Sequence, residues 1–358
     1  MNSVLICESK GRGPIKNIGD YIQSIAQKQF WEGNDEGYLE REELKLTRTD
    51  IPINVIMNGW FMWEPTQFPP PSNVNPFYIS FHLTPSKEAE FFTDETISHL
   101  KKHEPIGARD LNTMQLMQKY GIKSYFSGCL TLTLNKTYYN QSHNGGVIFC
   151  EPFIEMGATE SFGKIMRKIK AAFYWVLHPQ KMQKLYRRYS KCDSPTTLKQ
   201  FIFKMLEVSC FYQVYSERFS DDILFTAEYV SHLVDNYITN QEKFKIADNL
   251  LRKYSEAKLV VTSRIHAGLP CLAFETPTVF ITSKVLSDTD TIRMGGRFGG
   301  LLEFFNYYTY YKGVLSCDNN SLPNRITLST IPSNPNKYKE YQVLLKREVQ
   351  SFVENCKV

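Results

Sequence analysis

The sequence predicts an α/β protein in two layered halves facing a cleft, with parallel sheets flanked by helices. Three observations predict it. Short apolar runs such as Val4 to Cys7, Val147 to Cys150 and Leu259 to Thr262 alternate with stretches of helical spacing. The 358 residues suffice for two domains, and 42% are hydrophobic against 22% charged, the balance of an ordinary globular core. A polar stretch rich in Asn, Ser and Gly, from Asn135 to Gly146, reads as a linker. The expected parts are 1–140, 146–335 and a closing helix within 336–358.

The first unit opens with a buried strand, Val4 to Cys7, and a Gly, Lys and Pro-rich loop. A helix follows from near Asp20, with Ile22, Ile25, Ala26 and Phe30 on one face. Ile53 to Met57 reads as a strand ending at Asn58-Gly59-Trp60, and Tyr78 to Phe81 as a third. Ile106 to Asp110 reads as a short strand entering a helix that carries Met114, Leu116 and Met117 up to Gly121. Leu130 to Leu134 reads as a strand with alternate threonines. Past the linker, Val147 to Cys150 begins the second half. That half ends in a strand–helix–strand unit: Leu259 to Thr262, a helix from about Ser263, and Thr278 to Ile281. Lys337 to Glu354 is the closing helix, and no internal repeat is apparent.

Composition excludes several classes. A net charge of +5 is too weak to announce a nucleic-acid binder. The eight cysteines are scattered, with no CxxC or Cys/His cluster, against a zinc site or a small disulfide scaffold. The longest apolar run, Ala171 to Leu177, has seven residues, far below the roughly 20 of a membrane helix. Val4 to Cys7 is too short for a signal-peptide core, so the reducing cytoplasm is the expected compartment. One segment breaks the charge balance: Gly163 to Lys191 holds nine Lys or Arg and no acid. Ile165, Ile169, Phe173, Val176 and Leu177 are helically spaced before Pro179, as are Met182, Leu185, Tyr186 and Tyr189 after it. This basic hairpin reads either as a membrane-surface or polyanion-binding element or as an ordinary amphipathic pair with a solvated basic face.

The stretch Leu259 to Gly268 carries the strongest chemical signal. A buried strand ends, Ser263 can cap the next helix, and Arg264 and His266 fall in its first turn. Unpaired N–H groups and the dipole gather there, Arg offers a planar cationic fork, and His titrates near neutrality. The bland alternative pairs Arg264 with a structural acid and makes His266 a core histidine. Asp20, in Asn17-Ile18-Gly19-Asp20, either handles a sugar hydroxyl or caps its helix. Arg109 and Asp110 sit at a strand–helix junction, where an Asp caps by default. Trp60 could offer a ring to a sugar, and His82 ends another strand. Asp288-Thr289-Asp290 matches a short metal-site pattern that recurs by chance; Arg293 and Arg297 beside it are better anion ligands.

Four motifs in order, Asn17-Ile-Gly-Asp20, Gly107-Ala-Arg-Asp110, Ser127 to Thr133 and Val261-Thr-Ser-Arg-Ile-His-Ala267, resemble the polysaccharide pyruvyl transferase family. The resemblance runs from about Ile18 to Leu302. It implies two Rossmann-like domains in a GT-B-like arrangement, the first on the acceptor side and the second on the donor side. It implies transfer of pyruvate from phosphoenolpyruvate to a sugar diol of a surface polysaccharide or exopolysaccharide, or of its lipid-linked precursor, with no metal or other cofactor. By the same resemblance, Arg264 and His266 bind the donor, Arg109 and Arg297 supply further cations, and His266, Asp20 and Asp110 are catalytic. Asn17, Asn58, Trp60 and His82 fall to the acceptor side. Asn58-Gly59-Trp60 replaces the family's usual Gly-Gly pattern, and Phe81-His82 replaces small residues, pointing to a distinct acceptor. The basic hairpin would then sit at the inner face of a membrane. A GT-B glycosyltransferase using a nucleotide sugar and a non-catalytic carbohydrate-binding protein are the alternatives.

Overall fold

The computed structural model describes the chain except residues 9–12, 36, 49, 157–161, 191–194, 284–297, 318–321 and 358. In the first half the strands are β1 (Asn2–Ile6), β2 (Ile15–Asn17), β3 (Gly37–Glu40), β4 (Ile53–Phe61), β5 (Val74–Leu83), β6 (Ile106–Ala108) and β7 (Ser124–Phe126). All but β2 form one parallel sheet, ordered β3-β1-β4-β5-β6-β7. The second half supplies β8 (Val147–Cys150), β9 (Glu228–Val230), β10 (Leu233–Asp235), β11 (Leu259–Thr262), β12 (Thr278–Ser283), β13 (Asn306–Tyr311) and β14 (Val314–Ser316). Here the order is β14-β13-β12-β11-β8-β9, parallel except for β14. The central strands are buried on both faces by flanking helices, which is why they read as continuous apolar runs.

The two sheets share one topology, although the sequence shows no repeat. In each, the first strand lies between the second and third, so the order reverses once. Ligands of open α/β sheets bind beyond the carboxyl ends of the strands at such reversals. In the first sheet the reversal lies between β1 and β4, and in the second between β8 and β11.

A ribbon and the last helix are two of the contacts that tie the halves together. β2 and β10 form an antiparallel ribbon, with Leu233 opposite Asn17, and Ile18 N–H donates to His232 O at 2.7 Å. The last helix, Tyr338–Asn355, crosses back to cover the first half: Phe352 stacks on Phe77 with ring centres 5.0 Å apart, and Gln342 donates to Leu132 O.

Helix Gly19–Trp31 is buried on nearly every side, more than its expected stripe of Ile22, Ile25, Ala26 and Phe30. Its polar residues complete the sheet. β1 pairs with β4 only at Asn2 and Ser3, and Gln27 then takes over Leu5, accepting its N–H at 2.8 Å and donating to its carbonyl at 3.0 Å.

Three expectations are corrected. Leu130 to Leu134 is not a strand: Leu130–Thr133 is a 3-10 turn buried on all sides, where Thr133 bonds back to Leu130 O. Asn58-Gly59-Trp60 does not end a strand but lies within β4, at a register shift that Gly59 accommodates with φ 110°. Ser263 does not cap the following helix, Ile265–Ala273; Arg264 holds that position in extended conformation.

Candidate functional site

At the reversal of the second sheet, the ends of β8 and β11 bring Glu151 and Arg264 together. Arg264 Nε donates to Glu151 Oε2, and Ser231 donates to the other carboxylate oxygen at 2.7 Å. Ser263, released from capping, bonds to Glu151 O, and Thr262 Oγ1 accepts the Arg264 N–H at 2.9 Å. The backbone of Arg264 is thus fixed and one edge of its guanidinium oriented. Among the described residues its two terminal nitrogens make no hydrogen bond, and the side chain is one-third exposed. A structural acid and an outward-facing cationic fork are both present.

His266 lies in the first turn of the next helix, against the start of the first half's leading helix. A β-carbon on Gly19 would come within 2.9 Å of His266 Nδ1. Only glycine lets the two helix starts approach so closely, and Asn17 Oδ1 fixes the Gly19 N–H at 2.9 Å. The sequence motifs around residues 17–20 and 261–267 therefore meet in space. Neighbouring His232 is fully buried, and its pKa is pushed down to about 3 by burial and then by Arg264.

The reversal of the first sheet holds buried charge. Lys16 Nζ lies 2.6 Å from Asp20 Oδ2 and 3.3 Å from Cys7 Sγ, and Arg41 Nη2 donates to the same sulfur at 2.7 Å. Burial would raise the Asp20 carboxyl, but Lys16, Arg41 and the more distant Arg109 hold it below the usual range. Asp20 is therefore an ionised acceptor. Burial likewise opposes the charge on Lys16, and Asp20 and the Cys7 sulfur reverse that effect. Arg41 sits 5.3 Å from the Trp60 ring, whose indole N–H donates to Thr84 Oγ1 at 2.6 Å. Asn58 is buried and bonded to Gln23 O and Gln27 Nε2, inside the helix–sheet interface.

Beyond β5 and β6 stand His82, Arg109 and Asp110. His82 Nδ1 lies 2.6 Å from Asp110 Oδ2, while Asp110 Oδ1 caps helix Leu111–Lys119 through the Thr113 N–H at 2.9 Å. The carboxyl is held low against its burial by His82, Arg109 and that N–H. Asp110 thus both caps and orients. Arg109 is only 3% exposed; its Nε is 3.7 Å from Asp110 Oδ2 and makes no hydrogen bond. Burial lowers its pKa, which Asp110, Cys129 and Asp20 partly offset. Such a guanidinium is suited to a further anion.

An open pocket of about 890 Å³ lies beyond the carboxyl ends of β8, β9 and β12, beside Arg264. Glu151, Ser231, Ser263 and Arg264 line one wall, and Phe153, Tyr229 and Tyr237 supply aromatic surface. Arg297, Arg293 and Asp288 to Asp290 lie outside the described residues. No cluster of three or more metal-ligating side chains occurs among those described.

The sequence brought Asp20, Arg109, Arg264 and His266 to notice but missed Glu151, Lys16 and Arg41. Glu151 had a signal: it directly follows a buried strand. A family model for polysaccharide pyruvyl transferase matches residues 17–284, most of the chain. No curated protein matches it.

Proposed function

The chain belongs to the polysaccharide pyruvyl transferase family, and on that premise we propose that it transfers pyruvate from phosphoenolpyruvate to a sugar diol, forming a cyclic ketal. The acceptor belongs to a surface polysaccharide or its lipid-linked precursor. The observation that carries this reading is the approach of His266 to Gly19, which joins the Arg264 helix start to the Asp20 helix start.

The donor's carboxylate and phosphate call for fixed cations and helix N–H groups. Arg264, oriented by Glu151, is the first cation and the buried Arg109 the second, with Arg297 a third. His266 donates a proton to the terminal enol carbon, leaving an electrophilic centre at C2. One acceptor hydroxyl attacks C2 and its proton restores His266. The second hydroxyl attacks as phosphate departs carrying the remaining proton. The products are a methyl ketal carboxylate and inorganic phosphate. Asp20, being ionised, accepts a hydrogen bond from the acceptor. Asp110 acts through His82, which meets an acceptor hydroxyl, and Trp60 offers its ring to the sugar. Asn17 and Asn58 serve the acceptor side by fixing Gly19 and the β4 bend. We place the reaction in the reducing cytoplasm, in keeping with the free thiols of Cys129, Cys150, Cys210 and Cys271.

Incubation with phosphoenolpyruvate and a panel of sugar diols tests the reading. Acceptor-dependent phosphate release, abolished in Arg264→Ala, is the expected result; release indifferent to acceptor and substitution would refute it. The size and aromatic walls of the pocket beside Arg264 favour one second reading, a glycosyltransferase holding a nucleotide sugar. It requires nucleoside diphosphate release instead.

A further inference from the structure

Between β8 and β9 the chain inserts four helices among the described residues, the first three being Phe162–Leu177, Pro179–Tyr189 and Leu198–Tyr215. We infer that this insertion docks on the surface of a bilayer containing anionic lipid, through the apolar ends of its first and third helices.

Ordinary amphipathic helices turn their apolar stripe inward. Helix Pro179–Tyr189 does so, burying Met182 and Leu185. Helix Phe162–Leu177 has a second apolar stripe that it leaves outside. Its stripe of Ile165, Ile169, Phe173, Val176 and Leu177 faces outward, with Phe173 65%, Val176 73% and Leu177 71% exposed. The side facing the protein buries Ala171 and packs Tyr174 and Trp175 on the core, and nearer its start it carries charge: Lys164 and Arg167 both pair with Glu155, at 3.1 and 2.9 Å. Ser209 Oγ anchors the same side by donating to Ala171 O. The outward stripe is thus a fixed consequence of how the helix is seated.

The third helix extends this surface. Its first turns expose Leu198, at 74%, together with Phe201, Ile202 and Phe203. Rings connect the two ends, Trp175 to Tyr186 at 6.0 Å and Tyr186 to Phe201 at 5.4 Å. Two helix ends therefore present one apolar patch, far from the scattered single exposures that need no explanation.

Charge selects the occupant. No acid lies between Gly163 and Lys191, and Lys170, Lys184, Arg187 and Lys199 are exposed on the same three helices. A second copy of the chain would bring these cations against one another, whereas anionic headgroups complement them. No helix among the described residues is long and apolar enough to cross a membrane, so the contact is interfacial. Apolar side chains enter the headgroup–acyl boundary while the cations remain among the phosphates.

The inference is independent of the reaction catalysed, and its test uses no substrate. The full chain is floated with vesicles of phosphatidylcholine alone, or with about a third phosphatidylglycerol. The expected result is recovery with the anionic vesicles only, falling about tenfold in the triple variant Phe173→Ser, Leu177→Ser, Ile202→Ser. Charge reversal by Lys170→Glu, Lys184→Glu and Arg187→Glu gives a similar loss. All six positions are exposed, and unchanged thermal melting excludes unfolding as the cause. Failure of the wild type to float with anionic vesicles, or equal flotation of the variants, overturns the inference. Concentration-dependent dimerisation abolished by the serine variant, without vesicle binding, assigns the patch to a second copy instead.

Discussion

The ring of His266 occupies the space that a side chain on Gly19 would need, since a β-carbon there would lie 2.9 Å from Nδ1 and 3.1 Å from Asn17 Oδ1. Two motifs almost 250 residues apart are thereby one structural unit. Gly19→Ala must move His266, the proton donor of the proposed reaction, and displacing such a group by an ångström costs about 10²-fold in rate. We expect acceptor-dependent phosphate release to fall on that scale, mainly in kcat. Retention of wild-type kcat would show that His266 needs no such placement.

Arg264 is held by Glu151 through Nε, and the proposed reaction assigns its terminal nitrogens to the donor. Arg264→Lys keeps the charge but cannot meet Glu151 and an anion with one planar group. Losing a charge-assisted hydrogen bond costs about 1.5–3 kcal/mol. The KM for phosphoenolpyruvate should rise by roughly ten- to a hundredfold. Glu151→Gln, which keeps the shape and loses the charge, should produce a smaller rise. Steady-state kinetics at saturating acceptor measure both.

Buried Lys16 and partly buried Asp20 form a pair beside Arg41. Asp20→Asn leaves two buried cations without that acid and should destabilise the protein by about 3–5 kcal/mol. Adding Lys16→Met should restore part of this, with a coupling energy above about 0.5 kcal/mol by denaturant titration. The pH dependence follows from the opposite shifts. Asp20 is depressed, so its contribution is present above the ordinary carboxyl pKa and lost as pH falls through its lower folded value. Lys16 is raised, so its contribution is complete below 10.5 and lost as pH rises through its higher folded value. Neither should change stability around neutrality.

Asp110 caps a helix with one oxygen and orients His82 with the other. Asn caps as well as Asp, so Asp110→Asn should preserve the helix while removing the charge beside His82 and Arg109. Asp110→Ala loses both functions and should be less stable than the Asn variant by about 1 kcal/mol. The Asn variant should show reduced activity with a displaced pH–rate profile. A profile identical to the wild type's would confine Asp110 to capping.

What was legible in the sequence followed from local rules. β8 and β11 were readable because strands covered on both faces must be apolar throughout. Leu130 to Leu134 misled because a turn buried on every side can carry threonines as regularly as a strand. Arg264 and His266 stood out because they share one helix start. The contact of Lys16 and Arg41 with Cys7 did not, because a three-residue strand and a 3-10 turn create it and neither carries a local pattern. Likewise, spacing revealed the stripe of helix Phe162–Leu177 but not its direction, which depends on Glu155 meeting Lys164 and Arg167.

The crossing of the Tyr338–Asn355 helix has a consequence for synthesis of the chain. Leu345, Val349 and Val353 complete the core that also contains Trp31, Ile79 and Leu132. On a ribosome the first sheet emerges early, yet one of its faces waits more than two hundred residues for this cover. The nascent first half must therefore persist with exposed apolar surface while the second is made, a state that recruits chaperones or aggregates. Translation speed and holdase supply then bear on the yield of this protein as directly as its final stability does.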